Sequence, residues 1–240
     1  MKTKFLLFLL LFTLNVFAQD SISLHKTKFP IWTFHQNNIT VNGMSLGLAS
    51  WEGDKPRKAN TNGIKIEIIG LGLFVPLMPK SPIAENEVDY NKLKMEPVSE
   101  KINGVALSAS GTVCNCLTNG ISAGLISQIN TYVNGVSATV EFNFSQKNNG
   151  LMLAAFNDAY IMNGMQLGLF NNGFISKGLQ VSILSNSNRS ILGMQLGTYN
   201  ISENLKGIQI GIFNVSEKTK GLQIGFWNIN EKRSLPFINW

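Results

Sequence analysis

Residues for catalysis or metal binding are scarce in this chain: it holds two histidines, His25 and His35, and two cysteines, Cys114 and Cys116. The cysteines lie two apart, so a strand would point both at one face. A disulfide between such close neighbours would be strained, and a metal site needs more ligands than this region supplies. They read as small packed residues. Glycan cleavage would want two carboxylates facing one substrate. Glu203, Glu217 and Glu231 instead recur with a fixed period as spacer residues, Asp158 falls elsewhere in its unit, and Glu67 and Glu141 stand alone. No glycine-rich loop leads into a helix, which removes a nucleotide-binding loop. A basic stripe for nucleic acid is missing too, because Lys206, Lys218, Lys220 and Lys232 stand singly among those glutamates. The expectation is a protein without catalytic residues, cofactor, metal or nucleic-acid partner.

Long apolar runs are absent beyond the first residues. Lys2 and Lys4 precede an apolar stretch at 5–14, and Ala18 precedes Gln19. That order predicts a secretory signal peptide over 1–18, too short to span a bilayer, which takes about 20 residues. Its removal takes away two lysines and lowers the formal charge from +6 to +4.

What the chain has in abundance is one phrase. It reads Gly164-Met-Gln-Leu-Gly-Leu-Phe-Asn171, Gly193-Met-Gln-Leu-Gly-Thr-Tyr-Asn200, Gly207-Ile-Gln-Ile-Gly-Ile-Phe-Asn214 and Gly221-Leu-Gln-Ile-Gly-Phe-Trp-Asn228, with a looser copy at Gly150. The leading glycines fall 14 or 15 residues apart. A short fixed period means one structural unit copied and stacked. Within each unit the apolar residues alternate, the period of a strand with one buried face. Looser copies begin at Gly43, Gly63, Gly104, Gly120, Gly135 and Gly178, which brings the candidate strands to eleven. Residues 19–42 read as a lead-in or cap, and 43–240 as one β-repeat domain. Segment 76–101 interrupts it with four prolines and five acidic residues; it is expected to be a mobile excursion, or else the place for a specific loop.

An all-β repeat of this kind can coil in two ways. In a parallel β-solenoid each unit is one turn, stacked about 4.8 Å from the next. The aliphatic positions then form an inner column, and Asn157, Asn171, Asn200, Asn214 and Asn228 form an amide ladder in which each side chain both donates and accepts. The alternative is a closed antiparallel barrel in the outer membrane, whose strands need about 9–11 residues; the aromatic ending at Leu235–Trp240 suits it. The solenoid is favoured. Antiparallel neighbours would show a period near 28 residues, yet the aromatic slot (Phe156, Phe170, Leu184, Tyr199, Phe213, Trp227) does not alternate, and the spacers are nearly uniform.

The phrase resembles a tandem repeat of bacterial secreted or surface proteins of uncharacterised function, clearly over 150–228 and weakly before. The 14-residue spacing is also similar to the β-roll heads of trimeric adhesins, although no stalk or anchor is present. The resemblance implies export to the outer membrane, cell surface or medium, and supplies no catalytic residues. The expected function is binding, adhesion or structural assembly, with an integral outer-membrane barrel (a small pore or scaffold) as the alternative. Gln195, Tyr199, Gln209, Phe213, Gln223 and Trp227 make the candidate binding strip if they face outward, with a glycan or envelope protein as partner.

Overall fold

A computed structural model describes residues 25–240 apart from 52 and 54; the expected signal peptide lies outside the described residues. The chain coils as a parallel β-solenoid. Strands β1 (Lys26–Lys28) and β2 (Ile31–Thr33) lie against β3 (Ile39–Gly47), followed by β4 (Ala59–Glu67), β5 (Glu100–Ser108), β6 (Val113–Gly124), β7 (Gln128–Ala138), β8 (Phe142–Leu153), the many-turned β9 (Phe156–Ile229) and β10 (Ser234–Asn239). From β3 to β9 each pairs in parallel with the next in one open sheet. An antiparallel barrel is therefore not the fold. Among the described strands only β10 runs antiparallel, closing the last rung from Ser234↔Ile229 to Asn239↔Gln223. Short β1 and β2 cover the opposite edge.

The leading glycines set the register: Gly43, Gly63, Gly104, Gly120, Gly135, Gly150 and Gly164 stand opposite one another. At Gly150 φ is 143°, and a Cβ would meet the Gly135 carbonyl oxygen at 2.0 Å. Only glycine meets both conditions. Each rung thus has an arm before its glycine and an arm after it.

The interior inverts the expected order of side chains. The second residue after each leading glycine points inward in all eleven rungs, and from Gly164 onward it is glutamine. Gln166, Gln180, Gln195, Gln209 and Gln223 form a continuous ladder, each donating to its predecessor. The asparagines form another. Asn157 donates to Asn171, then Asn186, Asn200, Asn214 and Asn228 follow, each link 2.7–2.9 Å. The aliphatic residues of the same arm, including Ile208, Ile210 and Ile212, lie outside; Ile210 and Ile212 are exposed. Simple alternation misplaced them because the rung turns a corner. Ile212 and Phe213 are consecutive and neither is buried, so the corner flips parity and brings Gln209 and Asn214 inside together. Gly211 makes that corner: its Cβ would sit 2.1 Å from the Gly197 oxygen. Apolar packing inside comes from the other arm, two residues before the glycine, where Val41, Ile102, Val133, Met162, Ile191 and Leu205 are buried.

The earlier rungs carry their own ladder. Asn42, Asn62, Asn103, Asn119, Asn134, Asn149 and Asn163 each precede the leading glycine and bond in series at 2.6–2.8 Å.

Candidate functional site

The outward side of the arm after the glycine is a continuous, uniform surface that runs the length of the coil. Its first and third residues, with the fifth at or just past the arm's end, make thirty-three positions over eleven rungs. All are aliphatic or Phe226 except Thr198, and none is buried. Several are well exposed, with Leu125 at 70%, Ile183 at 66%, Phe226 at 65% and Val140 at 64%. Exposed apolar patches on soluble monomers seldom exceed a few hundred Å². This face is about 50 Å long, from eleven rungs at about 4.8 Å, and about 13 Å across. Among the described residues no helix or strand packs over it. On the C-terminal rungs the arm before the glycine is polar outside: Glu217, Lys218 and Lys220 are exposed, as are Glu203 and Lys206 one rung earlier. That half of the coil is amphipathic, with one arm apolar and the other charged.

The residues expected to form the binding strip divide. Gln195, Gln209 and Gln223 are fully buried in the glutamine ladder and offer nothing to a ligand. Tyr199 and Trp227 are exposed and Phe213 is half-buried, along the corner that borders the apolar face. Tyr199 and Phe213 stack at 5.0 Å. Asn157, Asn171, Asn200, Asn214 and Asn228 stand in one buried column. Asn186 joins this column although the repeat phrase places Ser185 at its position: Gly178 begins a 15-residue unit, and the extra residue moves the amide from Ser185 to Asn186.

Segment 76–101 is ordered as a strap on the other arm, which corrects the expected mobile excursion. A 3-10 helix (Gly72–Leu77) leads into it, and helix α1 (Glu87–Met95) lies within it. Asn86 caps α1 by accepting from the Asp89 N–H, Glu87 and Asp89 occupy the first turn, and Lys92 and Lys94 the last, the charge order that a helix dipole favours. Tyr90 of α1 stacks on Tyr160 at 4.4 Å, and Tyr160 on Phe174 at 4.5 Å. Arg189 lies over Phe174 and pairs with Glu203 at 3.2 Å. Gln146 pins the strap, donating to the Pro82 carbonyl and accepting from the Ala84 N–H.

Two grooves open beside the strap. One, of about 420 Å³, is lined by Ser81, Glu85, Asp158, Phe174, Arg189 and Glu217 among others. The other, of about 250 Å³, sits on the Phe142–Phe156–Phe170 stack beneath Pro76 and Pro79. Desolvation pushes the Asp158 carboxyl above its ordinary range, partly offset by the Ser81 hydroxyl, which donates to it at 2.8 Å. Asp158 and Glu203 stand three rungs apart, roughly 14 Å, beyond the separation of about 5–9.5 Å used in glycan cleavage.

The N-terminal rungs enclose a charged cluster. Lys65 takes the inward position filled later by glutamine, and no part of it reaches solvent. Its ammonium lies 3.0 Å from Glu67 and 2.6 Å from Glu100, and donates to Ser50. Arg57 pairs with Glu100 at 3.3 Å. Burial acts to raise the Glu67 pKa, but the Lys65 charge and hydrogen bonds from Ser50, Lys65 and Ser108 outweigh it and hold the carboxyl below its ordinary value. His35, stacked on Trp51, is lowered by burial and then by the Arg57 charge.

Cys114 and Cys116 border this cluster and are joined in a disulfide, which corrects the reading as separate packed residues. A β-bulge between Cys114 and Leu117 breaks the regular strand there. The Cα atoms are 5.2 Å apart, within the span that a disulfide bridges. Glu100 and the two sulfurs lie within 4.8 Å of one another. With the sulfurs bonded to each other there is no thiolate to ligate a metal, and Glu100 is engaged by Lys65 and Arg57.

No family model, no curated protein and no solved structure matches the chain.

Proposed function

We propose that this chain is an exported, non-enzymatic protein of the bacterial cell envelope that works in binding or structural assembly through the apolar face of its coil. One observation carries this reading: eleven rungs repeat an uncharged, almost wholly aliphatic surface that no element among the described residues covers. Water penalises such a surface, so an apolar partner is the chemistry it fits. With the glutamines turned inward, the hydrogen-bonding groups expected to meet a glycan are gone from it. The amino-terminal charge pattern supports export, and the buried disulfide suits an oxidising compartment.

The test is expression with the leader intact in a Gram-negative host, followed by fractionation and an alkaline carbonate wash. The protein should be recovered with the envelope fraction. Ile183→Ser, Ile212→Ser and Phe226→Ser together should lower that recovery while leaving the strand circular-dichroism signal unchanged. Recovery in the cytoplasm sinks the export reading. Undiminished envelope recovery of the triple variant removes the face from it.

A further inference from the structure

We infer that the partner of the apolar face is a second copy of this chain, packed face to face with the two coils running in opposite directions. The inference rests on the reading of that face as a docking surface and names what docks.

Area comes first. A strip of about 50 by 13 Å is on the order of 650 Å² before side-chain relief is counted, close to the roughly 800 Å² per partner of a stable interface. The face carries no charge anywhere, so it meets its own copy without like-charge repulsion. Its rows of side chains repeat at the rung spacing, about 4.8 Å. Another copy has the same spacing by construction, so ridges and grooves stay in step along the whole length.

Side-chain volume then sets the direction. Rungs three to five are the small ones, with Ala109, Ala123 and Ala138 among their outward residues. Rung seven is large, with Met165, Leu167 and Leu169, rung eight presents Leu179, Val181 and Ile183, and rung nine Met194 and Leu196 beside Thr198. A two-fold axis along the strands, through rung six, lays rung three on rung nine, four on eight and five on seven. Ala138 then meets Leu167 and Ala123 meets Val181, the pairing of small with larger that close packing requires, while Ala109 meets Thr198 and Ala155 its own copy. Parallel coils would put Ala123 on Ala123 and Ala138 on Ala138 in neighbouring rungs and leave voids there.

A lipid surface fits less well. Binding to anionic headgroups draws on basic residues along the border of an apolar face. The column bordering this face is asparagine on the first seven rungs, with those side chains bonded to one another. The exposed lysines Lys177, Lys206 and Lys220 stand on three of the last four, so basic residues border one end of the face only.

The opposed rungs make the proposal testable by charge. Ala123 and Val181 are the middle outward residues of rungs four and eight. Within one chain they are four rungs apart, roughly 19 Å, too far to pair. Sedimentation equilibrium of the full chain at micromolar concentration should give twice the chain mass. Ala123→Lys or Val181→Glu alone should weaken association by about 100-fold. The chain carrying both should recover to within about tenfold of the wild type, because each lysine then meets a glutamate of the other copy. Circular dichroism checks folding, and Ile121→Lys with Leu179→Glu repeats the test one column over should the first pair fail to fold. A monomeric wild type overturns the proposal, as does a dimer indifferent to both single changes. A double variant as weak as the singles overturns the opposed arrangement. A monomer that binds phosphatidylcholine or anionic vesicles through this face overturns the second copy and keeps the face as a docking surface. A monomer whose envelope recovery is also indifferent to the Ile183, Ile212 and Phe226 changes removes both readings.

Discussion

Gln209 donates from Nε2 to the Oε1 of Gln195, 2.8 Å away on the preceding rung, and both side chains are wholly removed from solvent. Gln223 does the same to Gln209 at 2.8 Å. The ladder makes a polar column tolerable in a dry interior, since an amide's donor and acceptor are both met by copies of itself. It also explains why the repeat is conservative in length: a change of spacing would have to be absorbed, as the 15-residue unit does by presenting Asn186 in place of Ser185.

Gln209→Leu should therefore destabilise the coil although leucine is the more apolar residue. It strands the Gln195 oxygen and takes one acceptor from Gln223. A stranded buried group costs about 1–3 kcal/mol, and each kcal/mol lowers Tm by about 2–4 °C at this chain size. An unchanged or higher Tm in calorimetry would mean that the ladder contributes nothing net.

The leading glycines should be irreplaceable where rungs meet. Gly150→Ala places a methyl 2.0 Å from the Gly135 oxygen at a φ of 143°. Backbone strain and crowding each cost about 1–3 kcal/mol, so urea unfolding should show a loss of about 2–6 kcal/mol. Gly53 has no heavy atom within 4 Å of the equivalent methyl, and Gly53→Ala should lie within about 0.5 kcal/mol of the wild type.

How much of this was legible in the sequence depends on the residue. From Gly120 onward the leading glycines announced their rungs by recurring every 14 or 15 residues, and Gly43, Gly63 and Gly104 did so through the alternation that follows each of them. The facing of the strands did not follow from the pattern. Alternation tells that Gln209 and Ile210 point opposite ways, but which is inside depends on amides satisfying each other across rungs, a property of the stack and not of one unit. The earlier ladder was readable and missed: asparagine precedes the glycine from Asn42 to Asn163. Helix α1 left only end signals, Asn86 before it and lysines at its close. Its apolar residues gave no stripe, since Val88 and Met95 are exposed and only Tyr90 is buried. The cluster around Lys65 was hidden because neighbouring rungs bring together Ser50, Arg57, Lys65 and Glu100, which a long insertion separates in sequence.

That cluster should give stability a characteristic pH dependence. Glu67 is held below its ordinary value in the fold, so its contribution is complete above the ordinary carboxylate range and is lost as pH falls through the lower folded value. Lys65→Met removes the ammonium and leaves two buried carboxylates short of a partner, a change worth about 3–5 kcal/mol at neutral pH. Burial then becomes the main influence on Glu67 and raises it. The variant should regain part of its deficit as pH falls from 7 toward 4, while the wild type does not gain. Urea midpoints at both values decide it, and a constant difference would mean that Glu67 is not the group responsible.

Asp158 predicts the opposite sign beside the strap. Its carboxyl is pushed up by desolvation against only the Ser81 hydroxyl. A raised carboxyl costs nothing below the unfolded value; the cost grows as pH rises through the interval and is full above the folded one. Asp158→Asn keeps an acceptor for Ser81 and removes the charge. It should raise Tm at pH 7 by about 2–4 °C, the shift that roughly 1 kcal/mol gives in a chain of this size, with no gain at pH 3. Because Ser81 belongs to the strap, the same change should slow proteolytic cleavage within 80–96 at pH 7. Equal effects at both pH values would place the gain in packing, and a lower Tm at pH 7 would mean that the Asp158 charge has a favourable partner in the fold.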